Sequence, residues 1–363
     1  MISLRLLRQP QAALAILLAR SAQFPSAGIS ARSRDGLNKA TKALWLVSVL
    51  WAPLGFAQVD VATSIQPLAL IANDILGEAG NAVALIKPGD SPHHASLTPS
   101  ARLVAARADI LLWIGEDFEV NLVSLFQEPG SRTGSSTITA STLAGITLRE
   151  VGIENHDDDL DLDTAHNTGH DPAHDPAHGT GHDTAQSGHN TDLHLWLDTH
   201  NAERIAAAVA TAASALNPAD AAGYAQRLQA FSAAQAAIRA DFAARSPDDG
   251  IAAAAFVVYH DAYGYLERDM GLAHAAALLA DPERAPTIRE LTDVRAAIAS
   301  AAPVCLFSEP GADPRLIDTA LAGHALRRVE LDALGAQIEA GAEGYSRFIR
   351  GLAQDIQGCL SAP

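Results

Sequence analysis

Short apolar runs rich in β-branched residues recur along this chain, each followed by a helix-length stretch, and one long polar break divides the series in two. Before the break, "VDVATSIQPLALIANDILGEAG" reads as a strand and an amphipathic helix. "NAVALIKPGD" follows as a second strand, "LTPSARLVAARA" as a helix with Ser or Thr near its start, and "ADILLWIG" as a third strand. After the break, "LHLWLDTHNAERIAAAVATAASALN" reads as a short strand and then a helix. A second set comes later: strand "AAAFVVYHD", a helix, strand "PVCLFSEP", a helix, strand "RRVELD" and a closing helix "GYSRFIRGLAQDIQGCL". Strands alternating with helices make parallel sheets covered on both faces. The expected fold class is α/β, with two doubly wound lobes, and binding sites in such lobes lie at the carboxyl ends of the strands.

The two sets are joined by "NPAD", where Asn217 or Asp220 can cap and Pro218 suits a first turn. It opens an Ala-rich helix from about Pro218 to Ala244, which at ~1.5 Å per residue makes a rod of about 40 Å. The organisation expected is an N-terminal lobe over 58–217, a rigid backbone helix over 218–244 and a C-terminal lobe over 245–363, with a cleft between the lobes. With 363 residues, 48% of them hydrophobic and 18% charged, the chain can bury two cores of ordinary size.

The formal charge is −17, unevenly placed: residues 1–57 hold seven of the 25 Lys/Arg and one of the 42 acids, which leaves −23 on the remainder. A body this acidic repels nucleic acid and anionic lipid and attracts cations. The basic head ends in "KATKALWLVSVLWAPLGFAQVD", an apolar run from Ala43 to Leu54 behind a Lys pair, with small residues before a cut after Ala57. That is the pattern of a secretory signal peptide, too short to span a bilayer, which takes ~20 residues. Residues 1–38 precede it as an extended leader or an upstream start. Export places the protein in an oxidising compartment, which favours pairing Cys305 with Cys359 over two buried free thiols. Neither cysteine has a basic neighbour that would activate a thiol.

The break, from about 155 to 191, carries His166, His170, His174, His178 and His182 at every fourth position, with His156 and His189 beside them. A four-residue period would stripe a helix, but Gly169, Pro172, Pro176, Gly179 and Gly181 argue against one. The composition is that of a disordered, metal-binding loop.

Three further histidines stand where apolar runs end: His93 in "SPHHASLTPS", His194 in "DLHLWLD" and His260 in "VVYHDAYGY". Asp332 ends "VELD" in the same manner. In doubly wound lobes each points into the cleft, and neutral imidazoles with a carboxylate make a zinc-compatible set. Glu309 and Asp261 are read as cleft-wall residues that orient imidazoles.

These stretches resemble the zinc-specific periplasmic substrate-binding proteins of bacterial ABC importers, within the metal-binding family that includes manganese-binding lipoproteins and adhesins. The matching segments are "TSIQPLALIANDI", "SPHHASLTPSARLVAARADILLWIG", the acidic His-rich insert, "HLWLD", "FVVYHDAYGYLERDMGL", "CLFSEP" and "ELDALGAQIEAGAEGYSRFI", which together cover nearly all of 59–360. The resemblance implies His93, His194 and His260 as ligands of a transported Zn²⁺, with Asp332 or water in fourth place, and a Cys305–Cys359 disulfide. It implies a monomer in the periplasm, not itself embedded in the membrane, that delivers zinc to a permease with its ATPase. The insert becomes an accessory site for metal capture or sensing.

The chain departs from some zinc members in carrying Pro92 where they have an acidic residue, and His94 is a neighbour that could replace His93. No lipobox cysteine follows the leader. Three imidazoles favour zinc over manganese, whose sites use more carboxylate and water. The alternatives are a carrier or buffer of manganese or another divalent ion, or a three-histidine zinc hydrolase. Against the hydrolase stand the absence of H-E-x-x-H, G-x-S-x-G and P-loop patterns and of an unassigned general base. Zinc affinity should fall as pH drops through ~6.5, where free imidazole protonates.

Overall fold

In the computed structural model, β1 (Val59–Thr63) is the central strand of a parallel sheet ordered β2-β1-β3-β4, with β2 at Gly80–Ala84, β3 at Ile110–Trp113 and β4 at Ser136–Thr139. Val61 pairs with Ala82 on one side and Ile110 on the other. Burial on both faces explains why β3, "ILLW", is apolar throughout. The structure describes residues 58–127, 135–150, 191–244, 254–279, 282 and 284–361. The expected leader and the histidines His166, His170, His174, His178 and His182 lie outside these, whereas Thr191 already belongs to a strand.

Helix α1 (Gln66–Leu76) buries residues all round its circumference, from Pro67 to Leu76. It packs on β1 and β2 and is covered on its other side by three further helices, which accounts for its largely apolar sequence. Helix α2 (Pro99–Arg107) starts at Thr98, whose hydroxyl accepts the Ala101 N–H. A short α3 (Val123–Gln127) follows β3.

A two-residue antiparallel ladder, β5 (Arg149–Glu150) with β6 (Thr191–Asp192), brackets residues 151–190. The "LHLWL" segment expected as a strand is instead a 3₁₀ turn at Leu195–Leu197. All three side chains are buried, which an alternating strand at a surface cannot achieve. Asp198 then caps α4 (Thr199–Leu216) through the N–H groups of His200 and Asn201.

The rod is α5 (Ala221–Ala243), entered by a 3₁₀ turn at Pro218–Asp220. Its 23 residues span about 35 Å. Neither Asn217 nor Asp220 caps it through a side chain: Asp220 instead holds Arg227 at 2.6 Å. Tyr224, Phe231, Gln235, Ile238 and Phe242 form its buried stripe.

Beyond the rod a second parallel sheet, ordered β10-β9-β7-β8, comprises β7 (Phe256–His260), β8 (Ala276–Leu279), β9 (Cys305–Ser308) and β10 (Arg327–Glu330). Its helices are α6 (Gly264–Met270), α7 (Ile288–Ala301), α8 (Pro314–Leu321) and α9 (Gly344–Leu360). Helix α7 opens with a reciprocal capping box between Thr287 and Glu290.

The rod packs against α1 and α4 of the first lobe and against α6 and α9 of the second. One hydrophobic cluster runs from Val59 through Trp196, Tyr224 and Phe256 to Leu360. The lobes therefore share a core, and a shared apolar core resists wide hinge opening. Cys305 and Cys359 form a disulfide, Cα to Cα 6.3 Å, that ties the end of α9 to β9. Among the described residues no helix is long and apolar enough to cross a membrane.

Candidate metal centre

The carboxyl ends of the second sheet bring three polar groups together: His260 as the last residue of β7, Glu309 just after β9 and Asp332 two residues beyond β10. From the first lobe come His93, in the loop between β2 and α2, and His194, two residues past β6. Five of these line one cavity of about 370 Å³: His93, His194, His260, Glu309 and Asp332.

Among the described residues, His93, His194 and His260 form the group able to hold a metal ion, with candidate ligand atoms all within 4.8 Å of one another. The rings of His194 and His260 are 4.8 Å apart, and His93 lies 5.9 and 6.4 Å from them. An ion with four nitrogen or oxygen neighbours at ~2.0–2.1 Å would draw such atoms to roughly 3.3 Å from each other, so a small inward movement would bring the three nitrogens into bonding range.

Each inner histidine has one nitrogen occupied. His260 Nδ1 is 2.7 Å from Glu309 Oε1, while its Nε2 is buried without a hydrogen-bond partner. His194 Nδ1 is 2.8 Å from Asp192 Oδ1, which also accepts the His194 backbone N–H at 2.9 Å. A ring that donates from Nδ1 to a carboxylate carries its lone pair on Nε2, which is the arrangement metal-binding imidazoles use.

The electrostatics keep two of these rings neutral. Burial, and then the neighbouring His194 and His260, push the His93 imidazole down to about 3. Burial also lowers His194, against the opposing pull of Asp192. Asp192 itself stays ionised despite burial, because His194 and Arg149 hydrogen-bond to it and hold its carboxyl below the usual range.

Aromatic rings wall the site. Phe118 stands edge-on to His93 at 4.5 Å and touches both His194 and Trp196. The Trp196 indole donates to the Ala333 carbonyl, which fixes the wall to the loop after β10.

The expected residues fall into three groups. His93, His194 and His260 converge. Asp332 lies on the same wall, with Oδ1 accepting the Leu334 N–H and Oδ2 the Ala336 N–H. His94 is exposed and outside the cluster. Of the two carboxylates expected to orient imidazoles, Glu309 does so, but Asp261 bonds Arg149 instead. Asp192 and Phe118 were not singled out from the sequence. For Asp192 a signal existed, a carboxylate two residues before a histidine, a spacing that suits a side-chain bond to the following backbone N–H.

Comparison with known proteins identifies the family. The family described as zinc-uptake complex component A, periplasmic, matches residues 61–359. The high-affinity zinc uptake system protein ZnuA of Brucella suis is 31% identical over 309 residues, covering 83% of this chain and 91% of its own length. That of Paracoccus denitrificans is 32% identical over 323 residues, covering 86% and 98%. Among solved structures, a crystal structure of ZnuA is 18% identical with a TM-score of 0.63, covering 84% of this chain and 99% of its own. The periplasmic zinc binding protein TroA from Treponema pallidum is 19% identical with a TM-score of 0.61, covering 84% and 100%; both likenesses speak to the fold. The chain belongs to the family of periplasmic zinc-uptake complex component A.

Proposed function

We propose that this protein captures Zn²⁺ in the periplasm with His93, His194 and His260 and hands it to an ABC permease driven by its ATPase. The observation that carries the reading is the buried, unpartnered Nε2 of His260, facing a cavity shared with two other imidazoles. An orphaned lone pair in a buried place is costly unless something binds it. Three neutral nitrogen donors in an acidic protein suit zinc better than manganese, which prefers more oxygen. Membership of a family named for zinc uptake points the same way.

In this reading water completes the shell. Both Asp332 oxygens already accept backbone N–H bonds, which assigns the carboxylate first to shaping the loop after β10. Residues 58–217 and 245–363 act as lobes about the rod, with modest movement as the ion is drawn in. The insert, through His166, His170, His174, His178 and His182, collects ions loosely for the cleft. The protein is a carrier rather than a catalyst: Glu309, the carboxylate beside the three imidazoles, orients His260 through Oε1.

The test is zinc stoichiometry and affinity by competition with a chromophoric chelator, on the mature chain, a form lacking 156–190, and His260→Ala. One tight ion that survives the deletion and disappears with His260→Ala is expected. Tight binding that is lost with the deletion and kept in His260→Ala would put the zinc site in the insert instead.

A further inference from the structure

One side chain bridges the two histidine neighbourhoods from outside the cavity. Arg149 stands in β5 opposite Asp192 of β6. Its Nε donates to Asp192 Oδ2 at 2.8 Å, and its Nη2 donates to Asp261 Oδ1 at 2.6 Å. The first carboxylate is the one whose other oxygen orients His194; the second belongs to the residue that follows His260. Tyr265, on α6 of the second lobe, accepts the Arg149 backbone N–H at 2.8 Å and donates to the Asp192 carbonyl at 2.6 Å. Asp192 is 1% exposed, Asp261 13% and Arg149 25%, so the pairs are largely withdrawn from water.

The fold makes room for this guanidinium at one point. An added Cβ at Gly264, the first residue of α6, would lie 2.1 Å from Arg149 Cζ and 2.4 Å from its Nε. A Cβ there would force the guanidinium to shift from its seat between the two carboxylates.

We propose that Arg149 is a positioning residue for metal capture: a single guanidinium, seated against Gly264, fixes the spacing of His194 and His260 across the cleft through Asp192 and Asp261. The inference rests on the reading that these histidines hold the ion. Arginine suits the task because its fork bonds two carboxylates in fixed directions, which the single ammonium of lysine does not.

Positioning and simple electrostatics predict opposite signs. Arg149 is a cation near a cation site, so as a mere charge its removal would tighten metal binding. As a positioning residue its removal loosens the orientation of His194 and the separation of the two rings, and binding weakens.

The experiment uses the mature chain with four substitutions in parallel: Arg149→Met, Gly264→Ala, the two combined, and His260→Ala as a reference. Zinc affinity is read by chelator competition, and ligand geometry by the visible absorption of the Co²⁺-loaded protein, which a remote structural effect would leave unchanged. Arg149→Met and Gly264→Ala are each expected to weaken zinc about 10- to 100-fold, the range seen when partners of ligating groups are removed, and to alter the Co²⁺ bands. The double variant is expected to be no weaker than Arg149→Met, because the methyl at Gly264 then has nothing to displace. Should Arg149→Met not fold, Arg149→Lys takes its place, with a loss of at least about tenfold expected because lysine keeps the charge but loses the fork. Affinity within about threefold of the parent or tighter, with unchanged Co²⁺ bands, in both arginine and glycine variants overturns the proposal. If instead the parent takes up no tight ion, or His260→Ala retains it, the zinc reading itself falls and the inference falls with it.

Discussion

Glu309 Oε1 lies 2.7 Å from Nδ1 of His260, and the two residues stand at the carboxyl ends of neighbouring parallel strands. Backbone pairing of β7 with β9 thus sets the orientation of an imidazole. Glu309→Ala is expected to lower zinc affinity about tenfold by freeing the ring and its tautomer. Glu309→Gln, which keeps an acceptor, should cost less. Chelator competition decides, and an alanine variant within threefold of the parent would show that the ring is held by other means.

Burial shifts the pH at which protons compete for the site. Free imidazoles would all protonate near ~6.5, but His93 is pushed down to about 3 and His194 is also lowered. Both therefore stay neutral as pH falls through 6.5, and protons on them do not displace metal there. In the form lacking 156–190, log affinity is expected to fall by no more than about two units per pH unit between 6.5 and 5, because His93 takes up no proton there, where three free imidazoles would approach three. A steeper loss beginning at 6.5 would show that burial does not protect these rings.

Part of this candidate site is visible in the sequence because His260 and Asp332 end apolar runs, and a run that ends in an α/β lobe ends at the cleft. "VVYH" and "RRVELD" are such cases, and α9 occupies the same residues, 344–360, as the segment read for it. Edge strands were harder. β4, "STIT", is polar and partly exposed, and β8, "AALL", has helix-forming residues; each lies at a sheet edge and needs only one buried face. "LHLWL" alternates like a strand, but what it forms is set by Trp196 and Tyr345, which bond across the molecule to Ala333 and back to Trp196. Arg149 was invisible for the same reason: its partners are 43 and 112 residues away, and nothing local distinguishes it from a surface arginine.

A third histidine–carboxylate pair ties pH to stability away from the cavity. Glu267 accepts both the backbone N–H of His274 and a bond from its Nδ1 at 2.9 Å. Despite burial, which would lower it, the Glu267 carboxylate raises the His274 imidazole above its ordinary value of 6.5. A raised folded-state value means the stabilisation is fully present below 6.5 and is lost as pH rises through the higher folded value. In metal-free protein, the Tm difference between the parent and His274→Asn should be larger at pH 6 than at pH 9. An equal difference at both would remove the ion pair as its source.

The disulfide joins the buried start of β9 to the end of α9 across a separation of 54 residues. Closing a loop of that length restricts the unfolded chain by about 4 kcal/mol in the entropy model. Cys305→Ala with Cys359→Ala should therefore lower unfolding free energy in urea by about 2–4 kcal/mol. Stoichiometry should remain one tight zinc, because the bond lies at the end of β9 opposite Glu309. Loss of the ion in a folded double variant would mean that α9 holds the site in shape.

Asp332 decides between two versions of the same centre. Its two oxygens accept N–H groups from Leu334 and Ala336, which shapes the loop carrying Ala333, the residue that anchors Trp196. If water completes the zinc shell, Asp332→Asn keeps one of the two acceptors that hold the loop, and affinity should change by less than about fivefold. If the carboxylate is itself a ligand, the loss should be at least the 10- to 100-fold seen when mere partners of ligating groups are removed, with the Co²⁺ bands shifted as the donor set changes. Asn is the informative replacement: alanine would release the loop and Trp196 together, and weaker binding could then come from the wall of the cavity as readily as from the metal's own shell.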